Sequence, residues 1–384
     1  MKTMSIRRRT WIRRGIERSA WVVDYFDQTG KRHIKTFRTR KDADNWAVTA
    51  RHEVHLGTHT AARTSITVAK CFEQWIGDCE AEGLEFGTIR QRRQHLRLHV
   101  EPFIGREKLS DLTTPRIHQF DAELRDAGRS IAMRRKVLTN LKTAISFAQG
   151  RGEVAQNVAR GVSLRKEDGR GTSGPLRAGI NFPTKAELHL MIDKVREKDR
   201  ALIVTAIFTG MRISELRGLR WCDVDLVAGT IHVRQRADAW GRVGAPKSKA
   251  GSRDIPLAPM VVNALRLWLP SCPAGKIDLV FPNRHGRVQT LQNLRERVFV
   301  PLQKSCCITI DGEPTSAAKY GFHALRHASA SLFIAHLGWT PKRVQAVMGH
   351  SSIRMTYDLY GHLFEDPEAD REAMKKIEAA VVAA

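Results

Sequence analysis

The sequence predicts an α+β chain of several domains. A small β-sheet with one helix comes first, an all-α helical segment follows, and a mainly α segment with a small antiparallel sheet closes the chain. Three observations predict it. At 384 residues and 42% hydrophobic content, the chain can build two or three packed domains. Apolar residues alternate with polar ones near the N-terminus and then take up helical spacing over most of the remainder. Finally, the polar, glycine-rich stretch RKEDGRGTSGPLRAG separates two helical regions as an interdomain linker does.

The elements follow in order. AWVVDYFDQTGKRHIKTF alternates bulky and polar residues on either side of Gln28-Thr29-Gly30, which suits a β-hairpin. TRKDADNWAVTARHEVHL then places Ala43, Trp46, Ala47, Ala50 and Val54 at helical spacing. From about Ser65 to Ser163 the pattern stays helical. VAKCFEQWI offers Val68, Phe72, Trp75 and Ile76 as one face, and TIRQRRQHLRLHVEPFIG reads as an arginine-rich helix ending before Pro102. PRIHQFDAELRDAG opens with Pro115 in its first turn and closes at Gly128. The next helix has Ser130 as N-cap and a Val137–Leu141–Ile145–Ala148 stripe, with Arg134, Arg135 and Lys142 expected on its outer side. Past the linker, Thr184 with Glu187 three residues on forms a capping box. Helices around IVTAIFTG and SELRGL, strands at GTIHV and SRDIPL, and several further helices complete the chain.

Charge narrows the function. The net charge is +24, and the first sixty residues alone carry +8, so a polyanionic partner is the first expectation. A membrane surface fits less well, because no apolar run approaches 18 residues and no basic amphipathic tail is present. The basic N-terminus lacks the apolar core of a signal peptide, and a strand pattern starts where a transit peptide would continue. The six cysteines show no CxxC pair, which suits reduced thiols in a cytoplasmic protein. Arg90, Arg92 and Arg93 on one helix, with Arg134, Arg135 and Lys142 on another, are the candidate nucleic-acid contacts.

Chemistry-bearing residues gather in the last segment. Arg212 follows a helix that ends near Gly210, with Glu215 three residues on; a guanidinium there can hold phosphate or simply pair with the glutamate. Lys247 and Lys249 precede a strand, where a lysine is either a proton donor or solvated charge. His323 and Arg326 share a helix face. His350 leaves a short helix capped by Thr340 and Pro341 at one end and Gly349 at the other. Tyr357 and Tyr360 lie three residues apart, and helical spacing does not separate them.

The order of these residues says more than any one of them. Their contexts run TG-x-R-x-x-E-L, K-S-x-x-x-S-R-x-I-P-L, H-x-L-R-H, x-G-H-S-S-I and Y-G-H. Here the chain resembles the tyrosine recombinase (phage integrase) family over the whole last segment. The two upstream segments look like that family's arm-binding and core-binding domains. The resemblance implies an arm-type DNA-binding domain at 1–62, a helical core-binding domain at 65–163, a linker at 164–180, a catalytic domain at 181–365 and a C-terminal helix or tail at 366–384. It also implies one-strand cleavage of double-stranded DNA by a tyrosine hydroxyl, through a 3′-phosphotyrosine and a free 5′-hydroxyl.

Under that resemblance, Arg212 and Arg326 clamp the phosphate and His350 adds a hydrogen bond to it. Lys247, or Lys249 if the strand pairing shifts by one residue, protonates the leaving 5′-oxygen. His323 assists proton removal from the tyrosine, and Glu215 orients nearby basic groups. The Y-G-H context selects Tyr360 as nucleophile, and the surrounding cations are expected to favour its phenolate. No cofactor, metal or ATP is implied, and no glycine-rich phosphate loop occurs. The implied setting is bacterial cytoplasm near the nucleoid. The implied partners are DNA, further copies of the chain in a tetramer joined through the C-terminal helix, a DNA-bending host factor and an excisionase. A type IB topoisomerase-like enzyme and a non-catalytic DNA-binding protein are the competing readings.

Overall fold

The structure is a computed structural model and describes residues 4–57, 59–61, 65–164, 176–364, 371–372 and 374–376. Most of the expected linker, and most of the expected C-terminal helix or tail at 366–384, lie outside the described residues. The chain divides into two compact units, 1–168 and 169–384.

The first unit opens with a three-stranded antiparallel sheet of β1 (Ser5–Arg13), β2 (Ile16–Phe26) and β3 (Arg32–Phe37), in that order. The β2–β3 hairpin turns where the sequence places it. Asp27 Oδ1 accepts the backbone N–H groups of Thr29 at 2.9 Å and Lys31 at 3.0 Å. The third strand, β1, is a correction to the two-strand expectation: the arginine-rich stretch before Gly15 pairs along β2 from Ser5↔Asp24 to Arg13↔Ile16. Its charges mask the alternation that marks a strand, and backbone pairing does not depend on them. Helix α1 (Arg40–His55) lays Ala43 and Ala47 on Val23 and Tyr25 of the sheet.

The rest of this unit is helical: α2 (Val68–Ala81), α3 (Phe86–His95), α4 (Thr114–Asp126) and α5 (Ile131–Gly150). Thr67, Thr113 and Ser130 cap α2, α4 and α5 through their hydroxyls. The predicted stripes meet in one core, with Phe72, Ile76, Ile117, Phe120, Leu141 and Ile145 buried.

The second unit contains α6 (Lys185–Lys194), α7 (Glu197–Thr209), α8 (Ile213–Gly218), the strands β4 (Val224–Asp225), β5 (Thr230–Val233), β6 (Arg236–Ala237), β7 (Val243–Gly244) and β8 (Arg253–Pro256), then α9 (Pro259–Trp268), α10 (Leu291–Leu294), α11 (Val300–Ser305), α12 (His323–Ala335), α13 (Pro341–Met348) and α14 (Ile353–Tyr360). The Thr184–Glu187 capping box forms at α6. Strands β4, β5 and β8 make an antiparallel sheet in that order, and β6 with β7 makes a separate hairpin. Helix α7 is buried over Ala201–Ile207, which marks it as the centre of this core. The α+β, multidomain character read from the sequence is the observed one.

Candidate active site

Two helix ends build the site. Helices α7 and α13 both terminate at a left-handed glycine, Gly210 (φ 61°) and Gly349 (φ 63°). A Cβ at Gly210 would lie 2.8 Å from the Met348 sulfur, and one at Gly349 would lie 2.8 Å from Arg253 Nη1. A side chain would be strained at either turn, and at Gly349 it would also crowd the Ala250 carbonyl at 2.9 Å. Helix termination leaves backbone carbonyls unpaired and carrying partial negative charge, and these are natural seats for guanidinium groups.

Three arginines take those seats. Arg326, buried on α12, donates Nη1 to Gly210 O at 2.6 Å and Nη2 to Met348 O. Arg212, which caps α8, donates Nη2 to Gly349 O at 2.8 Å and Nη1 to Glu215 Oε1 at 2.8 Å. Arg253, the first residue of β8, donates Nε to Val347 O and Nη2 to Glu215 Oε2 at 2.8 Å. Glu215 is therefore a buried carboxylate gripped from two sides. Burial would raise its pKa, but the bonds and charges of Arg253 and Arg212 outweigh burial and hold it below the usual carboxylate range. Burial, with repulsion from Arg212, pushes Arg326 down to about 9, so it stays charged at neutral pH.

Tyrosine and histidines face this cluster. On α14 the packing separates what spacing alone leaves equal: Tyr360 is 1% exposed and Tyr357 is 52% exposed. The buried face of α14 is Thr356 and Tyr360, four residues apart, so Tyr357 falls outside it. His350 bonds through Nδ1 with Thr356 Oγ1 at 2.9 Å, and its ring lies parallel to that of Tyr360 with centroids 6.4 Å apart. Burial, then the Arg326 and Arg212 charges, lower its pKa to about 3. His323 is lowered to about 4 by desolvation and the neighbouring His327, Arg326 and Arg212.

Two expectations need correction. The phenol of Tyr360 is not tipped toward phenolate: burial raises its pKa, and the Arg326 charge offsets only part of that. The Tyr360 hydroxyl meets His327 Nδ1 at 2.7 Å, where His323 had been expected. His323 sits one turn earlier on α12, its ring edge-on to His327 at 4.9 Å.

Arg253 and His327 are the residues that sequence reasoning left without a role. Both stand inside the ordered motifs, at S-R-x-I-P-L and H-x-L-R-H. A basic residue at the start of a buried strand was the available signal for Arg253. For His327, the i,i+4 relation to His323 was the signal.

The remaining candidates lie elsewhere. Lys247 and Lys249 are exposed on the segment between β7 and β8. In the first unit, Arg90 and Arg93 are exposed, with Arg93 paired to Glu80 at 2.7 Å. Arg92 stacks over Trp75 at 4.2 Å, and Arg135 and Lys142 are half-buried. Arg134 is a correction: it is buried, and its Nε donates to Asp121 Oδ1 at 2.8 Å. It lies next to the core stripe, and a charge there must be paired inside the protein. Among the described residues, no group of three or more His, Cys, Asp or Glu is placed to hold a metal, and no helix is long and apolar enough to cross a membrane.

Comparison with known proteins agrees with the resemblance. The phage integrase family profile matches residues 182–366, and the phage integrase N-terminal SAM-like domain profile matches 67–124. Tyrosine recombinase XerC of Xylella fastidiosa is 30% identical over 218 residues, which is 56% of this chain and 64% of that recombinase, so the chain spans under two thirds of its length. In fold, the chain is similar to the Tn1549 transposon integrase in complex with a circular intermediate DNA, with a TM-score of 0.65 at 20% identity over 82% of this chain and 100% of that one. It is also similar to a lambda integrase tetramer bound to a Holliday junction, with a TM-score of 0.55 at 18% identity over 89% and 95% of the two chains. With two profiles of one family on its two helical regions, and the ordered motifs folded into a single cluster, the chain belongs to the phage integrase family of tyrosine recombinases.

Proposed function

We propose that this protein is a site-specific DNA recombinase, the integrase of a phage or another mobile element, acting through a 3′-phosphotyrosine intermediate. The observation that supports this most is the single buried cluster in which the Tyr360 ring lies against His350 and its hydroxyl points among the groups around Arg326. A phosphodiester resists attack because its anionic oxygens repel nucleophiles, and fixed cations remove that obstacle. Arg212 and Arg326 neutralise the non-bridging oxygens. Their other donors are already spent on backbone carbonyls and Glu215, so the guanidinium planes are set before DNA arrives. His350 contributes a neutral N–H to the same phosphate. Lys247, with Lys249 as its substitute, protonates the leaving 5′-oxygen from the β7–β8 segment. Tyr360 is covered, so the scissile phosphate reaches its oxygen only after the groups that cover the phenol give way, with its contact to α12 kept.

Residues 1–62 bind arm-type sites and 65–163 grip the core site, with Arg90, Arg93, Arg135 and Lys142 on phosphates. Four copies act together on DNA, in keeping with the tetrameric lambda integrase of similar fold, and a host DNA-bending factor and an excisionase bias the direction. The reaction takes place in the bacterial cytoplasm, on the nucleoid.

A nicked duplex carrying the attachment site, taken from DNA flanking the gene, tests the reading. The wild-type protein should form a covalent adduct stable to denaturing electrophoresis. Tyr360→Phe should bind the duplex and form none, and Tyr357→Phe should form it. An adduct from Tyr360→Phe, or none from the wild-type protein, rejects the proposal.

A further inference from the structure

We propose that His327 is the proton acceptor for the Tyr360 hydroxyl, a catalytic residue distinct from the arginine–histidine clamp. This rests on the reading of Tyr360 as the nucleophile. The geometry carries it. Nδ1 of His327 lies 2.7 Å from Tyr360 Oη, within reach for direct proton transfer. The two side chains come from α12 and α14, and the contact fastens the buried end of α14 to the helix that carries Arg326. His323, one turn earlier, meets the His327 ring edge-on at 4.9 Å, which restrains the plane of the imidazole. His323 is thereby a positioning residue.

The surrounding groups keep the acceptor neutral. Around His327 stand His323 and Arg326 of its own helix, Tyr360 of α14, and His350 from the segment between α13 and α14. Desolvation and the Arg326 charge lower the His327 pKa. A neutral imidazole with its proton on Nε2 presents a free lone pair at Nδ1 to the phenolic O–H.

The step balances without any further reactant. The phenolic O–H bond breaks and its proton passes to His327 Nδ1. The tyrosine oxygen forms a bond to phosphorus. The bond from phosphorus to the 5′-oxygen breaks, and the departing oxygen keeps the electron pair and takes a proton from the lysine. Rejoining runs the sequence backwards, with His327 returning the proton to Tyr360.

Single-turnover adduct formation on the nicked duplex tests the assignment. His327→Ala should bind DNA normally and form adduct ~10²–10⁴-fold more slowly, and added imidazole should restore part of the rate. His327→Gln can keep a hydrogen bond to the hydroxyl but cannot take its proton, and should stay slow. Either variant reacting at the wild-type rate overturns the proposal, as does a DNA-bound His327→Ala that imidazole does not rescue. Nitrogen NMR of the unmodified protein gives a second measurement that needs no variant to fold: the neutral His327 should carry its proton on Nε2, and a proton on Nδ1 overturns the proposal. Failure of the underlying reading looks different, because then the wild-type protein forms no adduct at all.

Discussion

Arg90 and Arg93 on α3 and Arg212, Arg253 and Arg326 in the C-terminal unit are the same side chain in two settings. The first two stand in solvent, and Arg93 pairs with Glu80, itself exposed. The other three spend their donors on helix-end carbonyls and on one buried carboxylate. An exposed arginine stays hydrated, and a surface ion pair holds it weakly, so it contributes charge but little position. An arginine seated on helix-end carbonyls cannot be moved without giving up those bonds, so it contributes position as much as charge. Arg134 belongs to the second kind although it sits among the first, because Asp121 holds it under the surface.

The largest way to break this comparison is to remove a buried partner. Glu215→Ala leaves Arg253 charged and unpaired in the core, and should cost about 3–5 kcal/mol in urea or thermal unfolding. Glu80→Ala removes the exposed partner of Arg93 and should cost about 0–1 kcal/mol. Similar destabilisation by the two would end the distinction. Next in size, Arg326→Lys should slow adduct formation by ~10²–10³ while DNA binding persists, because a point-like ammonium lacks the planar fork whose Nη1 and Nη2 reach Gly210 O and Met348 O from fixed positions. A normal rate would mean that charge alone suffices.

A pH series sharpens the same contrast. His350 is held to about 3 when folded, against about 6.5 in the unfolded chain. Below about pH 6.5 the unfolded chain binds a proton that the folded protein refuses, so stability present above that pH falls as acid is added, down to about 3. Glu215 acts in the same direction at lower pH: its lowered pKa supplies stability above the ordinary carboxylate value, lost as pH falls through the folded one. His350→Gln should flatten the upper part of the fall in melting temperature, and an unchanged profile would remove His350 as its source. The smallest effect belongs to the exposed set. Arg90→Ala with Arg93→Ala should leave stability within about 0.5 kcal/mol. It should also make the slope of log affinity against log salt shallower by about 0.9 for each DNA phosphate no longer neutralised. An unchanged slope would take α3 off the DNA.

Much of this was legible before folding, for local reasons. Caps at Thr67, Ser130 and Thr184, the glycine stops at Gly210 and Gly349, and the stripes of α2 and α5 are near-neighbour effects, and each element formed where its signals stood. The ordered motifs also named Arg212, Glu215, His323, Arg326, His350 and Tyr360, which meet around Gly210 and Gly349, whereas Lys247 stands outside on an exposed segment. Illegible were β1, whose arginines hide its alternation, and Arg134, whose partner Asp121 is on another helix. Equally hidden were Arg253 and His327, whose partners are 38 and 33 residues away along the chain.

The sequence by itself determined the family, the order of the reacting residue types, and the excess of positive charge, because these are properties of residues and short spacings. Tertiary structure alone decided which tyrosine is buried, which histidine touches it, and which arginines are fixed in place. Helical spacing says which residues share a face, but the neighbouring element decides which part of that face is covered. On α14 that choice falls on Thr356 and Tyr360, and it turns one of two similar tyrosines into the phenol that meets His327.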